Sequence, residues 1–259
     1  MQGEQNMKNN DSDQSDFIIG RHPVVSALRG KQEINKVFLQ NGIKKDEKSI
    51  SEIIKLAKQK KLVISVVPKQ KLDILSDHQN HQGVVLSVSP YKYATLDDIF
   101  ENAKNRNEEP FFLILDNIED PHNLGSIIRT ADASGVNGVI IPKHRAVGIT
   151  STVAKTSAGA IERVPVVRVT NLINTAKYLK DNGVWIFGTD MNGTDYRRWD
   201  GKGSSAIVIG NEGKGISPLL KKNVDQMLTI PMVGQVQSLN ASVAASLLMY
   251  QGYSSRNPL

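Results

Sequence analysis

The chain has 259 residues, 39% hydrophobic and 22% charged, with 20 Gly and 10 Pro, a composition that allows one large or two modest soluble domains and excludes fibrous or wholly disordered chains. The absence of cysteine excludes disulfide scaffolds, Cys-ligated zinc, iron–sulfur clusters and thiol nucleophiles, and it fits a reducing, cytoplasmic setting. The net charge of +6 is uneven: residues 1–16 sum to −3, residues 17–92 hold 14 Lys/Arg against 6 Asp/Glu for +8, and residues 93–259 sum to +1.

Residues 1–15 carry almost no apolar side chains and read as a flexible tail. No h-region follows the start, and the longest apolar runs, such as Phe111 to Leu115, fall far short of the roughly 20 residues a bilayer span requires. From Phe17 the pattern predicts a helix at His22 to Leu28, a strand at Lys36 to Gln40, an amphipathic helix at Lys48 to Lys60, and strands at Val63 to Val67 and Gly83 to Val88. Residues 16–92 thus form a small α/β unit. Its basic surface suits a polyanion such as RNA, because neutralised phosphates release counterions; a solvated lysine-rich face explains the charge equally well. Residues 93–110, with a helix at Leu96 to Ala103 and the polar run Lys104 to Glu109, read as a linker. In residues 111–259, apolar runs recur at Phe111–Leu115, Gly138–Ile141, Val164–Val169, Val184–Phe187, Ala206–Ile209 and Met227–Ile230, mostly with helical segments between them. That alternation predicts an α/β domain on a parallel sheet covered on both faces.

Three loops at the C-terminal ends of these strands gather glycine and polar residues, where open α/β sheets bind ligands. They are DNIEDPHNLGSIIRTADASG (Asp116 to Gly135), IGNEGKGIS (Ile209 to Ser217) and IPMVGQVQSLNASVAASLLMY (Ile230 to Tyr250). Generic nucleotide motifs fail here. Gly210 and Gly215 have phosphate-loop spacing, but Ile216 stands where Lys is needed, and Gly188 to Gly193 is followed by Thr194. The GxGxxA run at Gly201 precedes a strand instead of following one. No HExxH or GxSxG is present, no metal site is expected, and His78 and His81 read as surface residues of a polar loop.

Together the three loops resemble motifs 1, 2 and 3 of the SpoU (TrmH-like) family of RNA ribose 2′-O-methyltransferases. Asn123 and Arg129 stand in NLGSIIRTA, Glu212 in IGNEGKG, and Ser238 and Asn240 in IPMVGQVQSLNASVA. The DPHNLG opening and the GRHPV segment at Gly20 to Val24 are most similar to the branch that methylates a guanosine ribose in the peptidyl-transferase loop of 23S rRNA. The resemblance implies a ribosomal L30e-like RNA-binding domain at residues 16–92 and a methyltransferase domain at residues 111–259 with a deep trefoil knot. It also implies S-adenosyl-L-methionine as cofactor, RNA as partner and a homodimer. Thr189, Gly210, Ile230 and Leu239 match its cofactor-binding positions, although Ile230 and Leu239 fit plain core packing as well. Arg129, Asn123, Glu212, Ser238 and Asn240 match its catalytic positions. There Glu212 is expected to pair with Arg129, whose guanidinium, with a pKa above ~12, suits a phosphate anchor better than a base. Without the family, Arg129 reads as an exposed helical ion pair, Glu212 as a solvated loop residue and Ser238 as a helix cap. In the basic third, Arg21, His22, Arg29, Lys44, Lys45, Lys58, Lys60 and Lys61 are expected RNA contacts, by shape and phosphate given the few aromatics. A tRNA or other rRNA ribose, and a non-catalytic RNA-binding assembly factor, are the alternatives.

Overall fold

Alternating and continuous apolar patterns sort the chain into two sheets in the computed structural model, which describes residues 16–235 and 238–259. The expected tail at 1–15 lies outside the described residues. The first sheet runs β1 (Phe17–Ile19), β4 (Val84–Val88), β2 (Ile34–Gln40), β3 (Ile64–Val67), with only the β2–β3 pair parallel. Helices α1 (Arg21–Arg29) and α2 (Lys48–Gln59) cover it, burying Val24, Leu28, Ile50, Ile53 and Ala57 against Val37, Leu39, Val84 and Leu86. Each fully buried Leu or Ile contributes about 1.5–3 kcal/mol, so the two buried side chains of α1 and the three of α2 fix these helices on the sheet.

One element of this unit was not predicted, and one expectation needs correction. A helix, α3 (Lys69–Leu75), occupies a stretch for which no element was expected; it is short and its N-cap is Pro68, with no side-chain cap to mark it. His81 is buried, not a surface residue: its Nε2 lies 3.0 Å from Asp73 Oδ1, and its Nδ1 accepts from Gly83 N at 2.9 Å.

The second sheet is wholly parallel, in the order β10 (Gln226–Thr229), β8 (Trp185–Asp195), β9 (Ser205–Ile209), β5 (Phe111–Leu115), β6 (Gly138–Pro142), β7 (Val166–Val169). Strand β5 shows why a continuous apolar run was needed. Phe111, Leu113 and Leu115 enter one layer with α5 (Pro121–Ala133), α6 (Ser151–Thr156) and α9 (Ala241–Arg256). Phe112 and Ile114 enter the opposite layer with α4 (Leu96–Asn105), α7 (Leu172–Asp181) and α8 (Pro218–Lys221). Helix α9 comes so close to β5 that a Cβ on Gly252 would sit 2.6 Å from the Phe111 ring.

Residues 93–110 are not a free linker. Val166 N donates to Tyr91 Oη at 2.9 Å, Ile149 N donates to Tyr93 Oη at 2.8 Å, and α4, opened by a Thr95–Asp98 capping box, buries Ile99 and Ala103. The first unit is tied down here as well. Asn35 Nδ2 donates to Ile149 O at 2.9 Å, Arg168 of β7 donates to Ile34 O at 3.1 Å, and Ser151 Oγ donates to Asp16 at 2.8 Å.

Candidate active site

Strand β8 runs past the expected Phe187, and its pairing with β10 jumps from Gly188 to Thr194, so residues 189–193 project beyond the sheet. The jump opens a cleft of about 740 Å³ at the C-terminal ends of β8, β9 and β10. Its wall includes Thr189, Gly210, Ile230 and Leu239, the four expected cofactor-binding residues, together with Glu212 and Ser238. Ile230 lines the cleft and also packs on the core beneath.

The floor of the cleft is a tight turn. Asn211 and Gly215 exchange backbone hydrogen bonds at 3.1 and 2.8 Å, and Asn211 Oδ1 accepts from Gly213 N and Lys214 N at 3.0 and 3.2 Å. Gly210 must be glycine because a Cβ there would lie 2.3 Å from the Gly215 carbonyl carbon. The result is a cradle of backbone groups flanked by apolar side chains. Its volume falls in the ~300–1,000 Å³ range of small-molecule sites, and backbone groups beside apolar side chains fit the nucleoside part of S-adenosylmethionine.

At the mouth of this cleft the three loops meet. Glu212 Oε1 accepts from Asn123 Nδ2 at 3.0 Å, from Asn240 Nδ2 at 2.7 Å and from Ala241 N at 3.0 Å, while Asn240 Nδ2 also donates to Asn123 Oδ1 at 2.9 Å. Asn240 Oδ1 caps α9 by accepting from Ser242 N at 2.9 Å and Val243 N at 3.3 Å. Residues 89 and 117 positions apart are thereby latched, and a carboxylate at the N-terminus of α9 also complements the helix dipole.

Two expectations about these residues are corrected. The cap of α9 is Asn240, not Ser238, because Asn240 occupies the extended position just before the first turn; Ser238 faces the cleft. Glu212 is spent on the two asparagines and does not pair with Arg129, which among the described residues has no hydrogen-bond or ion-pair partner. Helix α5 starts at Pro121, capped by Asp120. Arg129 therefore lies beyond two turns into α5. It is exposed, and its chain neighbour Thr130 accepts from Ser246 Oγ of α9 at 3.2 Å.

Two further residues went unnoticed in the sequence. Asp116, buried at the end of β5, accepts from Ser217 N at 2.7 Å and so pins the far end of the second motif. Its only signal was a polar DN pair directly after an apolar run. Asp190, on the cleft wall, is bonded by the Lys221 ammonium, which holds its carboxyl below the usual range.

The expected RNA contacts are dispersed. Arg21 and His22 line a polar pocket of about 830 Å³, where Arg21 also donates to Gln82 O at 3.0 Å and pairs with Glu47. Arg29 pairs with Glu52 at the other end of α1, and Lys60 donates to Gly30 O at 2.7 Å. Lys44, Lys45, Lys58 and Lys61 are exposed.

Comparison with known proteins agrees with this geometry. The SpoU rRNA methylase family profile matches residues 110–250, and a profile for RNA 2′-O ribose methyltransferase substrate binding matches residues 17–94. A Bacillus subtilis protein named as a TrmH family tRNA/rRNA methyltransferase is 50% identical over 96% of this chain and 99% of its own. The crystal structure of the SpoU methyltransferase AviRb from Streptomyces viridochromogenes in complex with AdoMet superposes with a TM-score of 0.59 at 24% identity, over 93% of this chain and 90% of that one. The AdoMet-bound rRNA methyltransferase of Sinorhizobium meliloti does so with a TM-score of 0.56 at 23% identity, over 94% and 87%. On the matched profiles and the half-identical relative, the chain belongs to the SpoU rRNA methylase family.

Proposed function

We propose that this protein methylates a ribose 2′-hydroxyl of structured RNA, using S-adenosylmethionine as methyl donor, and that its target is a guanosine in the peptidyl-transferase loop of 23S rRNA. The observation that carries the reading is the Asn123–Glu212–Asn240 latch at the mouth of a glycine-cradled cleft. Such a cleft also argues against an idle RNA binder, which needs no donor pocket.

The donor supplies an electrophilic methyl on a sulfonium; the acceptor oxygen takes that methyl and releases its proton. What the chain contributes is alignment, up to roughly 7–11 kcal/mol when two reactants are held in near-attack geometry. Gly210 and its turn hold the nucleoside, and Thr189, Ile230 and Leu239 close around it. Asn123 keeps one amide proton free of the latch to steer the sugar, and Ser238 faces the same space. Arg129 anchors the phosphate next to the target ribose, and its fixed charge favours loss of the hydroxyl proton.

The domain layout supports delivery of RNA by residues 16–92, with Arg21, His22, Arg29, Lys44 and Lys45 as contacts, and transfer by residues 111–259. A trefoil knot is supported by the path of the last segment: β10 lies outside β8, yet α9 returns to the middle of the sheet and packs on α5 and Phe111. A homodimer is supported by the outer face of α9, where Val243 is 48% and Tyr250 47% exposed along a groove of about 490 Å³ beside Tyr196. Sedimentation should give twice the 28.5 kDa chain. No described helix is long and apolar enough to cross a membrane. Labelled donor with deproteinised rRNA or tRNA tests the function: label in rRNA fits this target, and label in tRNA alone gives the substrate implied by the other half of the relatives' name.

A further inference from the structure

The seam between the two sheets holds a second cavity that the donor cleft does not use. It has a volume of about 510 Å³ and lies between Lys36 and Ser65 of the first sheet and Asn117, His144, Arg145 and Asn171 beyond the C-terminal ends of β5, β6 and β7. It adjoins the donor cleft through residue 117, because Asn211 of the cleft floor donates from Nδ2 to Asn117 O at 3.1 Å.

Charge inside the seam does not balance. Arg168 is committed to the backbone carbonyls of Ile34 and Asn35, and Asp116, the carboxylate bordering the cavity, already accepts from Ser217 N and from Asn117 Nδ2 at 2.6 Å. Among the described residues, Lys36 and Arg145 of the cavity lining form no ion pair, nor does Lys143, which stands between the lining residues Pro142 and His144. Glu33 and Glu119 lie near enough to act on the lysines but pair with neither. Burial, and then the charge of Arg168, hold both lysines below their usual range. The Lys36 ammonium lies 5.8 Å from the centre of the Phe38 ring. Arg145 sits at φ 56°, a left-handed conformation that costs free energy for a residue with a Cβ. Gathering partly desolvated cations in one place is unfavourable unless an anion neutralises them.

We infer that the seam is a phosphate-binding subsite for the RNA backbone, in which Lys36, Lys143 and Arg145 grip the strand adjoining the ribose presented to the donor cleft. The inference rests on the methyltransferase reading for its ligand, and it adds three contacts from both sheets. The seam thereby fixes the strand in the angle between the two units, where the sequence pointed only to the first.

The test uses the full chain carrying K36Q, K143Q and R145Q together, titrated with deproteinised large-subunit rRNA across a range of KCl. A control triple, K177Q, K202Q and K222Q, loses the same charge elsewhere. With ~0.7–0.9 counterions released per phosphate contact, the seam triple should lower the slope of log K against log salt by about 2. Its KM for RNA should rise at least tenfold, with donor affinity and Tm undiminished, because a repulsive cluster has been relieved. The control should do neither. An unchanged slope in the seam triple, or an equal loss in the control, overturns the subsite. If the wild type shows the seam-dependent slope yet transfers no methyl to any RNA, the methyltransferase reading fails and the subsite survives.

Discussion

Asn240 carries two loads on one amide: its oxygen caps α9, and its nitrogen ties the third motif to Asn123 and Glu212. These loads separate by substitution. Asn240→Ala removes both, and losing a cap costs about 1 kcal/mol, which in a chain of this size lowers Tm by roughly 2–4 °C. Asn240→Asp keeps the cap but sets a carboxylate against Glu212. It should hold Tm closer to wild type while losing methyl transfer as completely; thermal melts paired with rate measurements read the difference, and equal Tm losses would refute the division. Arg129 differs in kind, since it is exposed and has no partner in its own described chain. Arg129→Lys keeps charge but not the bidentate fork, so a rate loss on the order of 10²-fold with intact donor affinity is expected, and near-normal turnover would show that the guanidinium is not needed. The five catalytic candidates could be named from their motifs, but the hydrogen bonds among them could not. The latch joins residues far apart in sequence, and nothing local in a glycine-flanked glutamate indicates which of several partners it meets.

Strand β5 and the turn after β9 mark the limits of what pattern reveals about elements. Phe111 to Leu115 could be placed to the residue because both faces are buried. The polar half of β8, Thr189 to Asp195, could not be, because residues 189–193 leave the ladder where the cleft opens and none of its side chains is buried. Helices were expected between most successive strands; β8 and β9 are joined by no more than the 3₁₀ turn Tyr196–Arg198, since the connection is held by buried Trp199 and α9 instead of by a helix of its own. The turn after β9 makes the sharpest prediction at this scale. Gly210→Ala places a methyl against the Gly215 backbone, where nothing flexible can yield, so the cradle must open. Calorimetric titration should then show S-adenosylmethionine affinity reduced at least tenfold with the two units still folded; unaltered affinity would place the donor elsewhere.

Taken whole, the molecule gathers the three motif loops at one end of a parallel sheet and leans a second, basic unit against the same end. The α/β class and the parallel sheet were legible from runs and periods. The strand order was not, because adjacency in a parallel sheet depends on crossovers that periodicity does not encode. The tight docking of residues 91–105 was hidden as well, since two tyrosine hydroxyls that accept backbone N–H groups look like any other aromatics. The central claim concerns the atom that receives the methyl group, and one measurement reaches it directly. The protein is incubated with methyl-labelled S-adenosylmethionine and deproteinised rRNA, and the product is hydrolysed in alkali. A methylated 2′-oxygen cannot attack its own phosphodiester, so the label should emerge in alkali-resistant dinucleotides. Label in single nucleotides, as base methylation would give, or no transfer to any RNA, would contradict the account.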